Sequence, residues 1–536
     1  MIELGFDAFE GRRGRVEAAA RGIVAMCRSD QFGVGWRPKG VDEVAILLES
    51  LGYSPQVIAE LWYESLFELA ADVSALVDQY VDDEERGVTP DTSWFARTCR
   101  DYAIGALYSG PWIIAVLGLA VFGSALWSSL STPLHLATGI ALGVYGALVV
   151  AGAFSQAIAR RLTFYFLQDN IALMKWTLDR FIVAAVGTFV ALGVLGWLAL
   201  RSAYGDLDAW LASAFFVGSG IFQTSLAPLY TLRRFSWIIG ISSVTTLITG
   251  LTFAFAFRRV VNLPWEPATL AAEIGIAGLL VMGATMAWMN RKARAAGGNA
   301  DLMAPAPRAI AGSAWPYALF GFAYFTMIVA DRIAAGLGHG WPFAYRAGYE
   351  LGCDIALLAI IPVVGAINVA LEGLPRAILA GSTSRIAERG ALDGSMARFY
   401  LRSALAVLGT AAIAVGVAEA LALFVLDHTR LGNTGAEGDE ARFVLRYAAA
   451  GYGVLMLALL NCQFLFFLSR PGPAVWAASI GALTCIAGAT ILTLAGFPPA
   501  ACAFSLLAGI AVFTIWTTIA AWRTMSRFTF SYYAAY

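Results

Sequence analysis

From residue 103 onward the chain alternates long apolar runs with short polar breaks. At about twenty residues per membrane-crossing helix, the runs fall at 103–129, 134–158, 181–203, 209–231, 235–257, 268–290, 313–335, 347–372, 402–426, 443–468, 473–495 and 500–522. That predicts twelve spans. The longest polar break inside the series, "NRKARAAGGNADLMAPAPRAIAG" at 290–312, separates six spans from six and reads as a linker at 291–312 between two halves. Residues 1–100 follow another pattern. Helical patterns at 41–51 and 55–86 are separated by "GYSP", where Ser54-Pro55 marks a helix start. In the second, Val57, Leu61, Leu66, Leu69, Val73, Leu76 and Tyr80 recur with a helical period. From Asp42 to Arg86 there are twelve acids and one basic residue. This is a solvated acidic helical segment or a dock for a basic partner, since acidity alone specifies no partner.

Composition agrees with the span pattern. The chain is 59% hydrophobic and 14% charged, with a mean hydropathy of +0.69 over 536 residues. A soluble domain is nearer 45–50% apolar and about 25% charged. The fold class is therefore an all-α polytopic membrane protein with twelve transmembrane helices. A net charge of −1 gives no reason to expect nucleic acid as a partner. The six cysteines form no CxxC pair, and Cys353, Cys462, Cys485 and Cys502 lie in apolar segments as small core residues. Nothing requires a metal or a cofactor. "MIELGFDAFEGRRGR" has charges where a secretory signal has its apolar core, so the first span is expected to direct insertion.

Lysine and arginine set the expected orientation. With the N-terminus inside, the inner loops and helix edges hold twenty-one basic residues and the outer side eight. Both termini are then cytoplasmic, including a tail at 524–536. Residues 159–180 and 376–398 are expected to run along the inner interface as amphipathic pieces, each after the second span of its half.

Enzymatic chemistry finds no support. No GxxxxGK[ST] phosphate loop occurs, and the three isolated histidines build no catalytic arrangement. "DLD" at 206–208 reads as a polar connection in a short outer loop. Intramembrane charge is the feature that remains. Asp331 and Arg332 end the seventh span, and Arg346, Glu350 and Asp354 open the eighth at steps of four. Glu419 lies near the outer end of the ninth. Charges in hydrocarbon are costly, so they face protein or water and often mark a pathway. A helix stacks Arg346, Glu350 and Asp354 on one face, with Asp354 about 10 Å below the boundary at 1.5 Å per residue. Two readings stand. The first is a structural clamp in which Arg346 pairs with Glu350 and Arg332 neutralises another acid. The second is a cavity wall that meets a polar cargo or exchanges a proton. For Asp331 and Arg332 the clamp is preferred. In the first half only Glu273 lies at comparable depth. The aromatics of "WPYALFGFAYF" (315–325) are read mostly as lipid-facing or interfacial, and "FTFSYYAAY" as an anchor. Pro111, Pro228 and Pro362 are sites where spans can break.

Four stretches carry a resemblance: "YSGPWIIAVLG" (108–118), "FSQAIARRL" (154–162), "FAYFTMIVADRIAAG" (322–336) and "PFAYRAGYELGCDIALLAIIP" (342–362). Together they resemble the PelG family, the exporter subunit of the Pel exopolysaccharide system, within the multidrug/oligosaccharidyl-lipid/polysaccharide flippase superfamily. The resemblance covers about residues 103–530. It implies two six-helix bundles, 103–290 and 313–523, around a central cavity in the bacterial inner membrane. It also implies a polysaccharide cargo, a cytoplasmic glycosyltransferase and other membrane subunits as partners. Asp331, Arg332, Tyr349, Glu350 and Asp354 match its motifs. The long acidic segment after "LGFDAFE" departs from the family's short start. Alternatives on the same fold are a flippase for lipid-linked oligosaccharide and an ion-coupled exporter. A non-transporting scaffold for synthesis enzymes is a third.

Overall fold

The computed structural model describes the chain from residue 41 to 533 except 51–57, 59–62, 86–93, 112, 115–133, 168–169, 260–264, 296–305, 338–341, 385–388 and 429–435, with a few positions between 16 and 40. The helices, in chain order, begin with α1 (Val41–Ser50), α2 (Leu66–Glu85) and α3 (Trp94–Leu107). Next come α4 (Leu134–Leu167), α5 (Ile171–Tyr204), α6 (Asp206–Thr231), α7 (Phe235–Arg259) and α8 (Trp265–Ala295). The later part holds α9 (Pro307–Leu337), α10 (Ala347–Ala356), α11 (Ile360–Ser384), α12 (Arg389–His428), α13 (Ala436–Phe467), α14 (Pro471–Leu494), α15 (Cys502–Met525) and α16 (Phe528–Tyr533). No strand occurs among the described residues.

Ten described helices are long and apolar enough to cross a membrane. They coincide with the expected spans two to four and six to twelve, and α7 supplies the fifth. The first lies mostly outside the described residues. Its start at 103 is corrected: α3 ends at Leu107, a turn follows at Tyr108–Ser109, and helix resumes at Gly110 with Pro111 in its first turn. Among the described residues the regular structure is all helical, and the helices are those of a multi-pass membrane protein, as the apolar pattern predicts.

Residues 1–101 and 369–399 form one compact unit, and 102–368 with 400–536 form another. The first has its own apolar core, in which Val44, Leu48, Leu69, Val73 and Val77 are buried. Here α2 begins at Leu66 rather than near Pro55, because Ser65 Oγ accepts the backbone N–H of Glu68 at 3.2 Å and caps the helix. Most of 55–62 lies outside the described residues.

In the larger unit, α4 and α5 run through most of the segment expected to lie along the interface at 159–180. No proline interrupts α4, and Asn170 Oδ1 accepts from Leu173 N at 3.0 Å to start α5. Likewise α11 and α12 take up 376–398 apart from 385–388. "DLD" is also not a loop. Asp206 and Asp208 form the first turn of α6, where carboxylates favour the helix dipole. Pro228 sits inside α6 without ending it.

One turn recurs in both halves of this unit. Between α6 and α7, Arg233 takes φ 52°, and Arg234 N donates to Leu229 O at 2.9 Å. Between α13 and α14, Ser469 takes φ 53°, and Arg470 N donates to Leu465 O at 2.8 Å. The flanking bonds correspond one for one: Leu232 N to Pro228 O with Leu468 N to Phe464 O, and Arg233 N to Tyr230 O with Ser469 N to Phe466 O. A left-handed conformation costs an L-residue about 1–2 kcal/mol, so its recurrence at the same step of each half is not a matter of local preference.

The halves meet where α4 crosses α9. A Cβ built on Gly321 would lie 2.2 Å from Gly152 O, and one on Gly152 would lie 2.1 Å from Phe325 Cδ2. Only glycine permits this backbone approach.

Candidate functional site

The charged residues singled out in the sequence mostly converge on one place beside this crossing. Asp331 and Arg332 come from the last two turns of α9. Tyr349, Glu350 and Asp354 come from α10, Tyr145 from α4 and Tyr452 from α13. Asp331, Tyr349 and Tyr452 have no exposed surface, and Arg332 and Glu350 keep 8% and 6%.

Arg332 is the centre of the arrangement. Its Nη1 donates to Glu350 Oε2 and, at 3.2 Å, to Asp354 Oδ1. Its Nη2 approaches Tyr452 OH at 3.4 Å. Glu350 Oε1 accepts from Tyr145 OH, so this carboxylate bonds to both halves of the chain. Tyr349 OH donates to Asp331 Oδ2 at 2.7 Å. Two more bonds cross beside it: Tyr345 N donates to Thr138 Oγ1 and Tyr204 OH to Phe343 O, both at 3.1 Å.

Arg332 thus meets acids of α10, but the pairing expected for Arg346 differs. Arg346 does not pair with Glu350. It is the residue before α10, with extended backbone (φ −120°, ψ 102°), so its side chain leaves the α10 face. It forms a fork on Glu440 instead, Nε to Oε1 at 2.9 Å and Nη2 to Oε2 at 3.1 Å. Glu350 is satisfied from α9 and α4. Glu419 stands apart and pairs with Arg446 at 3.3 Å, with side chains 33% and 62% exposed. Exposed pairs of this kind contribute about 0–1 kcal/mol.

The central cluster is unbalanced. One guanidinium faces Glu350 and Asp354, with a third acid, Asp331, next to it in sequence. Asp331 Oδ1 and Arg332 Nε are buried without a hydrogen-bond partner among the described residues. Buried polar atoms in folded proteins are nearly always bonded, so spare capacity here is unusual. The Asp354 side chain keeps 25% of its surface exposed and is the most accessible acid of the three. Just beyond it the helix is interrupted by a tighter turn at Leu357–Ala359, before Pro362, whose missing N–H leaves the Leu358 carbonyl without its helical partner. The span is thus divided immediately below its charged end.

Sequence reasoning missed Tyr145, Tyr452 and Glu440. A signal for the tyrosines exists. Each stands in mid-span beside glycine, "GVYGA" and "AGYGV", and a phenol at hydrocarbon depth needs a partner for its hydroxyl. The aromatic stretch divides. Trp315 and Phe322 are exposed as expected, whereas Tyr317 and Phe320 are buried, with ring centroids 5.1 and 5.0 Å from that of Phe466. At the C-terminal stretch, Phe528 is buried and Phe530 is exposed. Cys353, Cys462, Cys485 and Cys502 are buried and free, the core role expected of them.

Solved structures with the same fold are membrane transporters. A MOP superfamily transporter from Pyrococcus furiosus matches with a TM-score of 0.51 at 10% identity, over 82% of this chain and 100% of that one. A MATE transporter in complex with MaD3S matches with a TM-score of 0.54 at 10% identity, over 79% and 95%. The eukaryotic MATE transporter AtDTX14 matches with a TM-score of 0.52 at 13% identity, over 82% and 100%. At such identities the likeness is one of fold. No protein-family model matches the chain. No curated protein matches it either. The chain thus shares the fold of these transporters, an all-helical multi-pass one.

Proposed function

We propose that the chain is a transporter that moves a Pel-like exopolysaccharide across the bacterial cytoplasmic membrane. Residues 103–290 and 313–523 rock against one another, and both termini lie in the cytoplasm. The observation that carries this reading is the buried Arg332–Glu350–Asp354 cluster, which Tyr145 bonds from the other half. Two bonds there meet through Arg332 and Glu350: the Tyr145–Glu350 bond sets the contact between halves, and the Arg332–Asp354 bond sets the accessibility of Asp354. A sugar polymer offers hydroxyl donors, and free amines where it has them, that could occupy Asp354 once the Arg332 bond at 3.2 Å is released. The glycosyltransferase and the other membrane subunits would deliver and accept the chain.

The test is extracellular polysaccharide from cells carrying Asp354→Asn or Glu350→Gln, with membrane levels of the protein measured alongside. Export lost at normal protein level supports the pathway role. Normal export in both variants reduces the cluster to a brace. Asp331 Oδ1, buried without a hydrogen-bond partner among the described residues, favours a second reading, an ion-coupled exporter, in which this acid takes up a proton or cation on each cycle. Cargo movement in vesicles that is abolished by collapsing ion gradients, and by Asp331→Asn, would select it.

A further inference from the structure

The seam between the halves has a second polar end. On α4, Arg160 lies fifteen residues beyond Tyr145, about 22 Å along the helix at 1.5 Å per residue. Its Nη2 donates to Ser469 Oγ at 3.0 Å, and its guanidinium lies over the Tyr317 ring at 5.1 Å. The next residue, Arg161, donates from Nη2 to Ala309 O at 3.1 Å, and its Nε is buried without a partner among the described residues. Arg470 and Arg308 are the sequence neighbours of the two acceptors, so their backbones lie at this end as well.

Among the described residues the charge there is uncompensated. Elsewhere acids balance buried or half-buried arginines: Arg332 has Glu350 and Asp354, Arg346 has Glu440, and Arg376 has Asp101 at 3.1 Å. Among the described residues no carboxylate pairs with Arg160, Arg161, Arg308 or Arg470. Ala309 lies in the first turn of α9 and Ser469 just before α14, so these contacts also bring the positive ends of two helix dipoles to the arginines. A guanidinium has five donors, and the hydrogen bonds given above use one on Arg160 and one on Arg161.

We propose that this end of the seam binds a phosphate group. A phosphate offers several acceptor oxygens and negative charge to guanidinium forks on neighbouring residues. Its source is either a phospholipid headgroup or a soluble phosphorylated molecule, and the chemistry is shared. Binding would neutralise the cluster and hold α4 against the starts of α9 and α14. The inference does not depend on which cargo the protein moves.

The experiment uses the full chain in detergent, with thermal stability as the readout. Inorganic pyrophosphate is titrated in one arm. In the other, micelles are doped with phosphatidic acid against phosphatidylcholine. Stabilisation by pyrophosphate assigns a soluble source, and stabilisation by phosphatidic acid alone assigns a lipid. The Arg160→Gln/Arg161→Gln protein should bind about tenfold or more weakly, since each charge-assisted bond contributes that order. The control Arg180→Gln, on an exposed arginine stacked on Trp176, should bind as the parent does. Should the double variant not fold, Arg470→Gln removes one charge from the same place and should weaken binding about two- to fivefold. No stabilisation by either phosphate source overturns the proposal, as does equal loss in the Arg180 control.

Discussion

Replacing Arg332 with glutamine removes the one guanidinium that serves both Glu350 and Asp354. The Arg332 and Glu350 side chains are 9% and 8% exposed, so solvent screening is weak and the pair behaves as a buried one. Removing one partner of such a pair costs about 3–5 kcal/mol, because a charge is left without compensation. Glu350→Gln should cost less, about 1–2 kcal/mol. Arg332 would keep Asp354 at 3.2 Å, and Tyr145 would still find an amide oxygen to donate to. The two effects must not add. Once Arg332 is gone, Glu350 is the group left unpaired, so removing it as well relieves the cost that the first change created. The double variant should cost about 1.5 kcal/mol or more less than the sum of the two single costs. Thermal or denaturant unfolding of the four proteins in one detergent measures this directly. Additivity within about 0.5 kcal/mol, the range found for independent sites, would refute a coupled cluster.

Other outcomes follow from single contacts. Tyr145→Phe should leave the fold intact, since Arg332 still serves Glu350, but lower export at constant protein level, as measured by extracellular polysaccharide. Gly321→Ala places a methyl 2.2 Å from Gly152 O, so α4 and α9 must separate, costing about 1–3 kcal/mol in unfolding experiments. The same substitution at Gly409, whose Cβ position has no neighbour within 4 Å, should be tolerated. Ser65→Ala removes the cap of α2 and should destabilise the smaller unit by about 1 kcal/mol, read by hydrogen exchange of α2 amides.

The apolar pattern alone located nearly every span, because a crossing helix must be long and apolar whatever it packs against. Charge at depth was equally legible: Asp331, Arg332, Glu350 and Asp354 are conspicuous in such a chain, and the structure gathers them. Their partners were not legible. Arg346 lies at the spacing that suggests a bond to Glu350, yet its own backbone is extended, and spacing arguments hold only once a residue is inside the helix. Tyr145 is far from Glu350 in sequence, and nothing local reports a contact that depends on α4 crossing α9. The interfacial pieces failed for a related reason. Arginines such as Arg160 and Arg161 look amphipathic in a one-dimensional reading, but a long helix can project them beyond the membrane core without turning.

The bonds of Glu350 also differ in when they can form. At about 5–20 residues per second, the 18 residues between Arg332 and Glu350 take about 1–4 seconds to synthesise, whereas the 205 between Tyr145 and Glu350 take about 10–40 seconds. The Tyr145 hydroxyl therefore emerges with the first half long before its acceptor exists. Throughout that interval the hydroxyl lacks the acceptor that the finished fold gives it, so the contact between halves on this carboxylate can close only after the second half has begun to form.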